Sequence, residues 1–559
     1  MRLLMLLLVA TSLPAQERNY ARSMVISDRG IVATSQTLAS QAGAQILARG
    51  GSAVDAAIAA NATLGVVEPM MCGLGGDLFA LYWDAKTGKL TGLNASGWAP
   101  RALTIEFLKS LGNEKMPTQG IHSATVPGAV DGWAKLHGRF GKLPWAELFQ
   151  PAIYYAEHGY PVTELIQQDW QRSVNRLSEN ARVFLRDGAA PKVGGVFRDP
   201  EMAAAFRLIA ARGPEAFYRG PISSAILKTS VRLGGTMTAA DLSEYSAEWV
   251  QPISTEYRGW RVYEMPPNSQ GVAALEMLNL FSQFPLHEYL SRSENELHIQ
   301  MEAQKLAYAD LRRYVADPKF AKVPVDGMLS LAYARQRARL IDPEKAHCDV
   351  PPGNPLPAGG ETIYLSVVDR EGNIVSLIQS LYSDFGSGVV VDDYGFALHN
   401  RGGLFTLDAQ HPNALAPRKR PFHTIIPAFM EKGSLHIGFG IMGGFNQAQA
   451  HAQFVSNIAD QDMNIQQAME APRFTKLTAS GCDVNIENRV EPEVRQELTA
   501  RGHDLQVLGD YSQTVGGGQA VLHDSAANIN YGASDPRKDG AAVPEPHPYF
   551  TSPPSPPRR

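Results

Sequence analysis

Thr362 is a hydroxyl residue at the head of an apolar run, TIYLSVVDREGNIVSLIQSLYSDFGSG, directly behind a Pro/Gly-rich linker at residues 351–361. That linker, PPGNPLPAGGE, can neither continue a helix nor lie in a central strand, which marks it as an exposed, strainable connection. If the backbone breaks between Glu361 and Thr362, one residue carries both a nucleophilic hydroxyl and a free amine. The chemistry needs that amine, because a threonine hydroxyl is a weak nucleophile until a base takes its proton. An α-amine titrates at about 7.7–8.0, so at neutral pH a useful fraction is ready to accept it. The intact chain has no such amine, and cleavage at Glu361/Thr362 is expected to be activating. A threonine that opens a strand is commonplace on its own, so the assignment rests on its surroundings.

Residues 362–369 read as a buried strand, 370–373 as a turn and 374–381 as the returning strand. A hairpin folded about Glu371 and Gly372 brings Ser380 back to within about one residue of register with Thr362. A second hydroxyl is thus expected beside the first.

These residues resemble the gamma-glutamyltranspeptidase family, whose small subunit begins with a nucleophilic threonine in a strand of the SVVD-x-x-GN type. The likeness extends through QTLASQAGAQILARGGSAVDAAIAANATLGVVEPMMCGLGGD, TVPGAVDGWAKLHGRFGKLPWAELFQPAIYYAEHGYPV, PRKRPFHTIIPAF, GFGIMGG and YGASDPRKDGAA, covering nearly the whole chain. It implies an N-terminal-nucleophile hydrolase of α+β class with a four-layer αββα core. It further implies one precursor cut into a large subunit, residues 16–361, and a small subunit, residues 362–559. Members of this type work as heterodimers of the two fragments or as dimers of those heterodimers. The reaction so implied is cleavage of a small-molecule amide, without metal or organic cofactor.

Residue by residue, the resemblance makes Thr362 the nucleophile and Ser380 the hydroxyl that hydrogen-bonds to it. Gly443 and Gly444 match the glycine pair of the oxyanion hole, where backbone N–H groups must approach the developing charge with no Cβ in the way. Without Thr362 upstream, the same glycines would read as an ordinary turn. The substrate pocket departs from the family pattern. Ser96 stands where an arginine grips the α-carboxylate of a glutamyl group, and residues 399–404, HNRGGL, contain no acid to hold its α-ammonium. His423 and Thr424 replace a pair of serines, and Tyr382 replaces an asparagine. Two readings follow: the glutamyl group is held differently, or the acyl group is not glutamyl. Charge favours the second, because Arg401 suits an anionic acyl group without an amine, as in members resembling oxamate amidohydrolases or cephalosporin and glutaryl acylases. Arg101 offers another carboxylate partner, against which stands its reading as an exposed charge flanking a proline. His423 is either a proton carrier or a pocket-wall hydrogen-bond donor, and the second is preferred because the Thr362 amine already fills the base role. A secreted homologue that binds ligand without turnover is the non-enzymatic alternative; keeping Thr362, Ser380 and the glycine pair together argues against it.

The elements that must carry these groups are legible around them. Residues 37–49 and 53–65 read as helices, the second alanine-rich and capped by Ser52. Residues 73–77, GLGGD, precede an apolar strand at 78–83 instead of opening a helix, which argues for a turn near the active site over a dinucleotide loop. Further helices are expected at 144–155, 201–212, 294–315, 448–460 and 465–471, with a strand at 437–440. From Val543 onward the Pro-rich tail is expected to be disordered.

At 559 residues the chain can bury a large core, and its net charge of −5 gives no footprint for nucleic acid or acidic membranes. The apolar residues 3–9 are too short to span a bilayer. With Arg2 before them and residues 10–15 after, they read as an export signal cut after Ala15, although Leu13 is larger than usual there; an ordinary cytosolic start is the competing reading. Export would place the enzyme in a periplasm or outside the cell. Three cysteines, Cys72, Cys348 and Cys482, allow one bridge at most and form no CxxC pair.

Overall fold

The computed structural model describes residues 18, 20–349, 361–478 and 480–549, with Glu179, Glu361 and Thr362 described by their backbone alone. The export-signal reading, most of the linker and the last ten residues lie outside the described residues.

Alternation along the strand Glu361–Val368 sets the layers. Ile363, Leu365 and Val367 face a core shared with helices, while Tyr364 and Val368 face a second core between two sheets. The first seven-stranded sheet runs Ala541–Pro544, Ile31–Thr34, Glu361–Val368, Ile374–Tyr382, Asp77–Asp84, Lys89–Ala95 and Glu248–Val250 in spatial order. The second, also of seven strands, runs Val25–Ser27, Ile529–Ser534, Gly518–Asp524, Leu435–Ile441, Ala428–Lys432, Trp260–Glu264 and Ile253–Tyr257. Every pairing in both is antiparallel. Helices Thr37–Ala48, Ala53–Val67 and Ala129–Phe140 cover the outer face of the first sheet. Gly271–Phe281, Glu294–Tyr314, Asn446–Ala459 and Ile465–Glu470 cover the second, which completes the αββα stack. Each sheet draws strands from both sides of Thr362, so neither half of the chain can close a sheet alone.

Ala53–Val67 is buried on every side, and its small residues let it sit close to the sheet. Ser52 and Asp55 close a reciprocal capping box at its start, an arrangement worth about 1 kcal/mol. The expected helix at 144–155 divides into a 3₁₀ turn, Trp145–Phe149, and an α-helix, Gln150–His158, whose first turn accepts Pro151 because the N–H it lacks has no partner there.

The tail corrects an expectation. Residues expected to be disordered from Val543 on begin as an edge strand, Ala541–Pro544, paired with Ile31–Thr34. Glu545 then accepts the Gly30 N–H and pairs with Arg29 and Arg370. An edge strand tolerates Pro544, so proline content misled the reading. Cys348 and Cys482 form a disulfide and Cys72 is a buried thiol. Among the described residues no helix is long and apolar enough to cross a membrane.

Candidate active site

The hairpin pairs Glu361 with Tyr382 and Ile363 with Gln379, with a register shift between them. The backbone of Thr362 therefore lies across from Ser380 and Leu381. Ser380 in turn pairs with Asp77 on the next strand. Its Oγ accepts the Tyr382 N–H at 2.8 Å, and Tyr382 turns the chain out of the sheet at φ 81°, a conformation that costs a non-glycine residue about 1–3 kcal/mol.

The second sheet supplies the glycine pair. A Cβ on Gly438 would meet Ser366 Oγ at 3.0 Å, and one on Gly440 would meet the Tyr364 ring at 2.5 Å. Two residues along one strand thus match two along the other, and the glycine pair follows just beyond the end of the strand Leu435–Ile441. Gly443 and Gly444 have φ 118° and 59° and lead into the helix Asn446–Ala459. Among the described residues their N–H groups donate to nothing, which leaves two backbone donors near the positive end of a helix.

Asp77 is fully buried at the centre of a cluster of polar side chains. Its Oδ1 accepts the N–H groups of Gly97 and Gly128 at 3.0 and 3.2 Å, and its Oδ2 accepts His423 Nε2–H at 3.1 Å. His423 Nδ1 accepts the Ile425 N–H, and His399 Nδ1 accepts the Arg401 N–H, which fixes both rings with the proton on Nε2. Burial opposes ionisation of Asp77, but the two histidines and the Gly97 N–H hold its carboxyl below the usual range. Burial, joined by the charge of Arg401, pushes His423 down to about 3, so the ring is a neutral donor at physiological pH.

Arg401 is wholly buried. Its Nη1 donates to Thr424 Oγ1 at 2.7 Å, and its guanidinium lies 4.7 Å from the centroid of the Tyr382 ring. Burial lowers its pKa to about 10, which still leaves it charged at neutral pH. Nε and Nη2 have no hydrogen-bond partner among the described residues. Leaving two donors of a buried cation unanswered is costly, which sets Arg401 apart from the other buried groups of the cluster. Ser96, by contrast, accepts Asn268 Nδ2–H on its Oγ and holds Arg420 Nε through its carbonyl. Arg101 lies outside the cluster in an exposed pair with Glu244.

A family model for Gamma-glutamyltranspeptidase matches residues 39–545. The chain belongs to the gamma-glutamyltranspeptidase family. It is similar to the glutathione hydrolase-like YwrD proenzyme of Bacillus subtilis, with 38% identity over 527 residues that span 93% of this chain and 99% of the relative. The oxamate amidohydrolase proenzyme of Klebsiella pneumoniae is 34% identical over 534 residues, again 93% and 99% of the two chains. Among solved structures, a cephalosporin acylase from Bacillus halodurans superposes with a TM-score of 0.88 at 42% identity, covering 96% of this chain and 99% of the other. This gamma-glutamyltranspeptidase-family member is thus an enzyme, an amide hydrolase or acyltransferase of the N-terminal-nucleophile class.

Two residues of this enzyme that sequence reasoning missed shape its interior. Gln270 donates through Nε2 to the carbonyls of both Thr424 and Gly444, tying Thr424, the partner of Arg401, to the glycine pair. Glu68, at the C-terminal end of Ala53–Val67, is buried with Ser35 Oγ donating to its Oε2, while its Oε1 has no partner among the described residues. Burial pushes its pKa from 4.5 up to about 7. The fold therefore prefers the protonated acid, so this contribution is full below about pH 4.5 and is lost as pH rises through 7, amounting to about 3 kcal/mol. Glu68→Gln cannot ionise, and it is expected to flatten the fall in stability between pH 5 and 8. Thermal melts across that range decide it, and an unchanged slope would reject the assignment.

His298, Glu302 and His503 bring ligand atoms within 4.8 Å of one another. The Lys305 ammonium already stands 2.5 Å from Glu302, and Lys476 and Arg501 add further positive charge around His503. That cluster reads as a charge-paired hydrogen-bond network instead of a metal centre.

Proposed function

We propose that the enzyme is made as one chain, cuts itself between Glu361 and Thr362, and cleaves amides of an anionic acyl group that lacks an α-ammonium. The observation that carries the choice of acyl group is Arg401, buried and charged with two donors unused. No acid in residues 399–404 is available for an ammonium, and Asp77 is already occupied by two N–H groups and His423. The activities for which the oxamate amidohydrolase and cephalosporin acylase relatives are named support the same direction.

In the precursor, the Thr362 hydroxyl attacks the carbonyl of Glu361; the acyl group shifts from nitrogen to oxygen, which frees the Thr362 amine, and water then hydrolyses the ester to release the Glu361 carboxylate and restore the hydroxyl. In turnover, Thr362 Oγ attacks the substrate carbonyl while the new amine takes its proton. Ser380 supports the nucleophile, and the Gly443 and Gly444 N–H groups hold the tetrahedral oxyanion. The amine then protonates the leaving nitrogen, and water or an acceptor amine resolves the acyl-threonine ester. Export fits this account, since the Cys348–Cys482 bond belongs to an oxidising compartment. A γ-glutamyl substrate is the second reading, favoured by the glutathione hydrolase-like relative.

A panel of chromogenic anilides separates the two. An ammonium buried without a carboxylate costs several kcal/mol, so glutaryl, succinyl or oxamyl anilides are expected to exceed the γ-glutamyl compound by about 100-fold in kcat/KM. A preference for γ-glutamyl would overturn the anionic-acyl assignment.

A further inference from the structure

We propose that the Cys348–Cys482 disulfide becomes a covalent tether between the two subunits of the mature enzyme, an inference that rests on the cleavage before Thr362 proposed above. The two cysteines are 134 residues apart in sequence and lie on opposite sides of that peptide bond. In the precursor their bridge closes a loop. Once the bond between Glu361 and Thr362 is cut, the same bridge joins two separate polypeptides, and among the described residues it is the one covalent link between them.

The segment around Cys348 is seated by contacts that cross between the future subunits. The Gly481 N–H donates to the Cys348 carbonyl at 2.7 Å, and the Ala346 N–H donates to the Arg501 carbonyl at 2.8 Å. Lys305 Nζ holds the His347 carbonyl at 2.6 Å beside them. On the small-subunit side, the Asp504 N–H donates to the Cys482 carbonyl at 2.8 Å, which fixes Cys482 at the start of the parallel pair Asp483–Glu487 and Asp504–Leu508. Cys348 is exposed and Cys482 half-buried, so a small reductant reaches the bond in the folded protein.

The consequence concerns the end that cleavage creates. Cleavage leaves the large subunit ending at Glu361, 13 residues beyond Cys348. Interleaved strands hold the folded subunits together without help from the bridge. Its distinct effect comes when the fold opens: a tethered pair re-forms its sheets within one molecule, whereas a reduced pair separates and must meet again.

Alkylated wild-type enzyme, run on a denaturing gel with and without dithiothreitol, tests the tether. The dithiol supplies two electrons and two protons, converting the bridge to two thiols, and is itself oxidised to its cyclic disulfide. The expected result is one species near the full-chain mass without reductant and two fragments with it. Cys348→Ser is expected to give two fragments in both lanes while keeping amide hydrolysis. Non-reducing peptide mapping of the wild type, which does not depend on a variant folding, is expected to recover the peptide pair joined through Cys348 and Cys482. Two wild-type fragments without reductant would overturn the tether while sustaining the cleavage. One band in both lanes would overturn the cleavage and the tether with it.

Discussion

Thr362→Ala is expected to leave a single unbroken polypeptide on a reducing gel and to lower amide turnover by about 10⁴-fold or more. Both effects come from one atom. The hydroxyl that the proposed mechanism uses against substrate is the one it uses against the carbonyl of Glu361, so its removal blocks maturation before catalysis is in question. Thr362→Ser keeps the hydroxyl and, once cut, the amine, and is expected to mature and turn over at a reduced rate. Mass spectrometry of the small fragment's first residue, alongside anilide hydrolysis, checks the series. A Thr362→Ala protein that remains one chain and still hydrolyses the anilide at the wild-type rate would sink the assignment. The register supports the expectation through the backbone alone. Thr362 sits where the hairpin slips between Glu361–Tyr382 and Ile363–Gln379, across from the backbone of Ser380 and Leu381.

Much of this scaffold is legible in the sequence because its signals are local. The hairpin from Thr362 to Tyr382, the Ser52 cap and the long helix Glu294–Tyr314 each follow from turn residues, capping chemistry or spacing within a short window. The segment GLGGD reads correctly as a turn. The reason for its glycines is visible only in three dimensions, where a Cβ on Gly75 would lie 2.1 Å from the Ala397 carbonyl oxygen. Asp77 closes that same segment, yet its partners are Gly97, Gly128 and His423, which no window joins. Gln270 and Glu68 escape for the same reason. Arg101 and Arg401 show the limit most plainly: identical residues in the sequence, one paired in solvent with Glu244 and the other buried with two donors unanswered. The strand at Ala541–Pro544 failed in the other direction, because Pro-rich composition outweighed a short edge pairing that local pattern cannot reveal.

Arg401→Met is expected to move stability and activity in opposite directions. In the free enzyme the guanidinium is fully buried, satisfied at Nη1 by Thr424 and at its face by Tyr382, with Nε and Nη2 unpartnered among the described residues. Replacing a buried charge that has no ion-pair contact among the described residues and two unanswered donors with an apolar side chain of similar length is expected to stabilise the fold by about 1–4 kcal/mol. The same change removes the partner proposed for an anionic acyl group, and losing a buried charged hydrogen-bond partner costs binding about 2–5 kcal/mol, or about 10²–10³ in kcat/KM. Arg401→Lys is not expected to restore activity, because a single ammonium cannot present two donors in the planar fork that a carboxylate accepts. The discriminating result is the pairing: a higher melting temperature, normal cleavage into two fragments, and hydrolysis of glutaryl or succinyl anilides lowered while a neutral acyl anilide is spared. Were Arg401 a structural strut, its replacement would lower the melting temperature and depress charged and neutral substrates alike, so a fall in all three measurements would remove Arg401 from the acyl site.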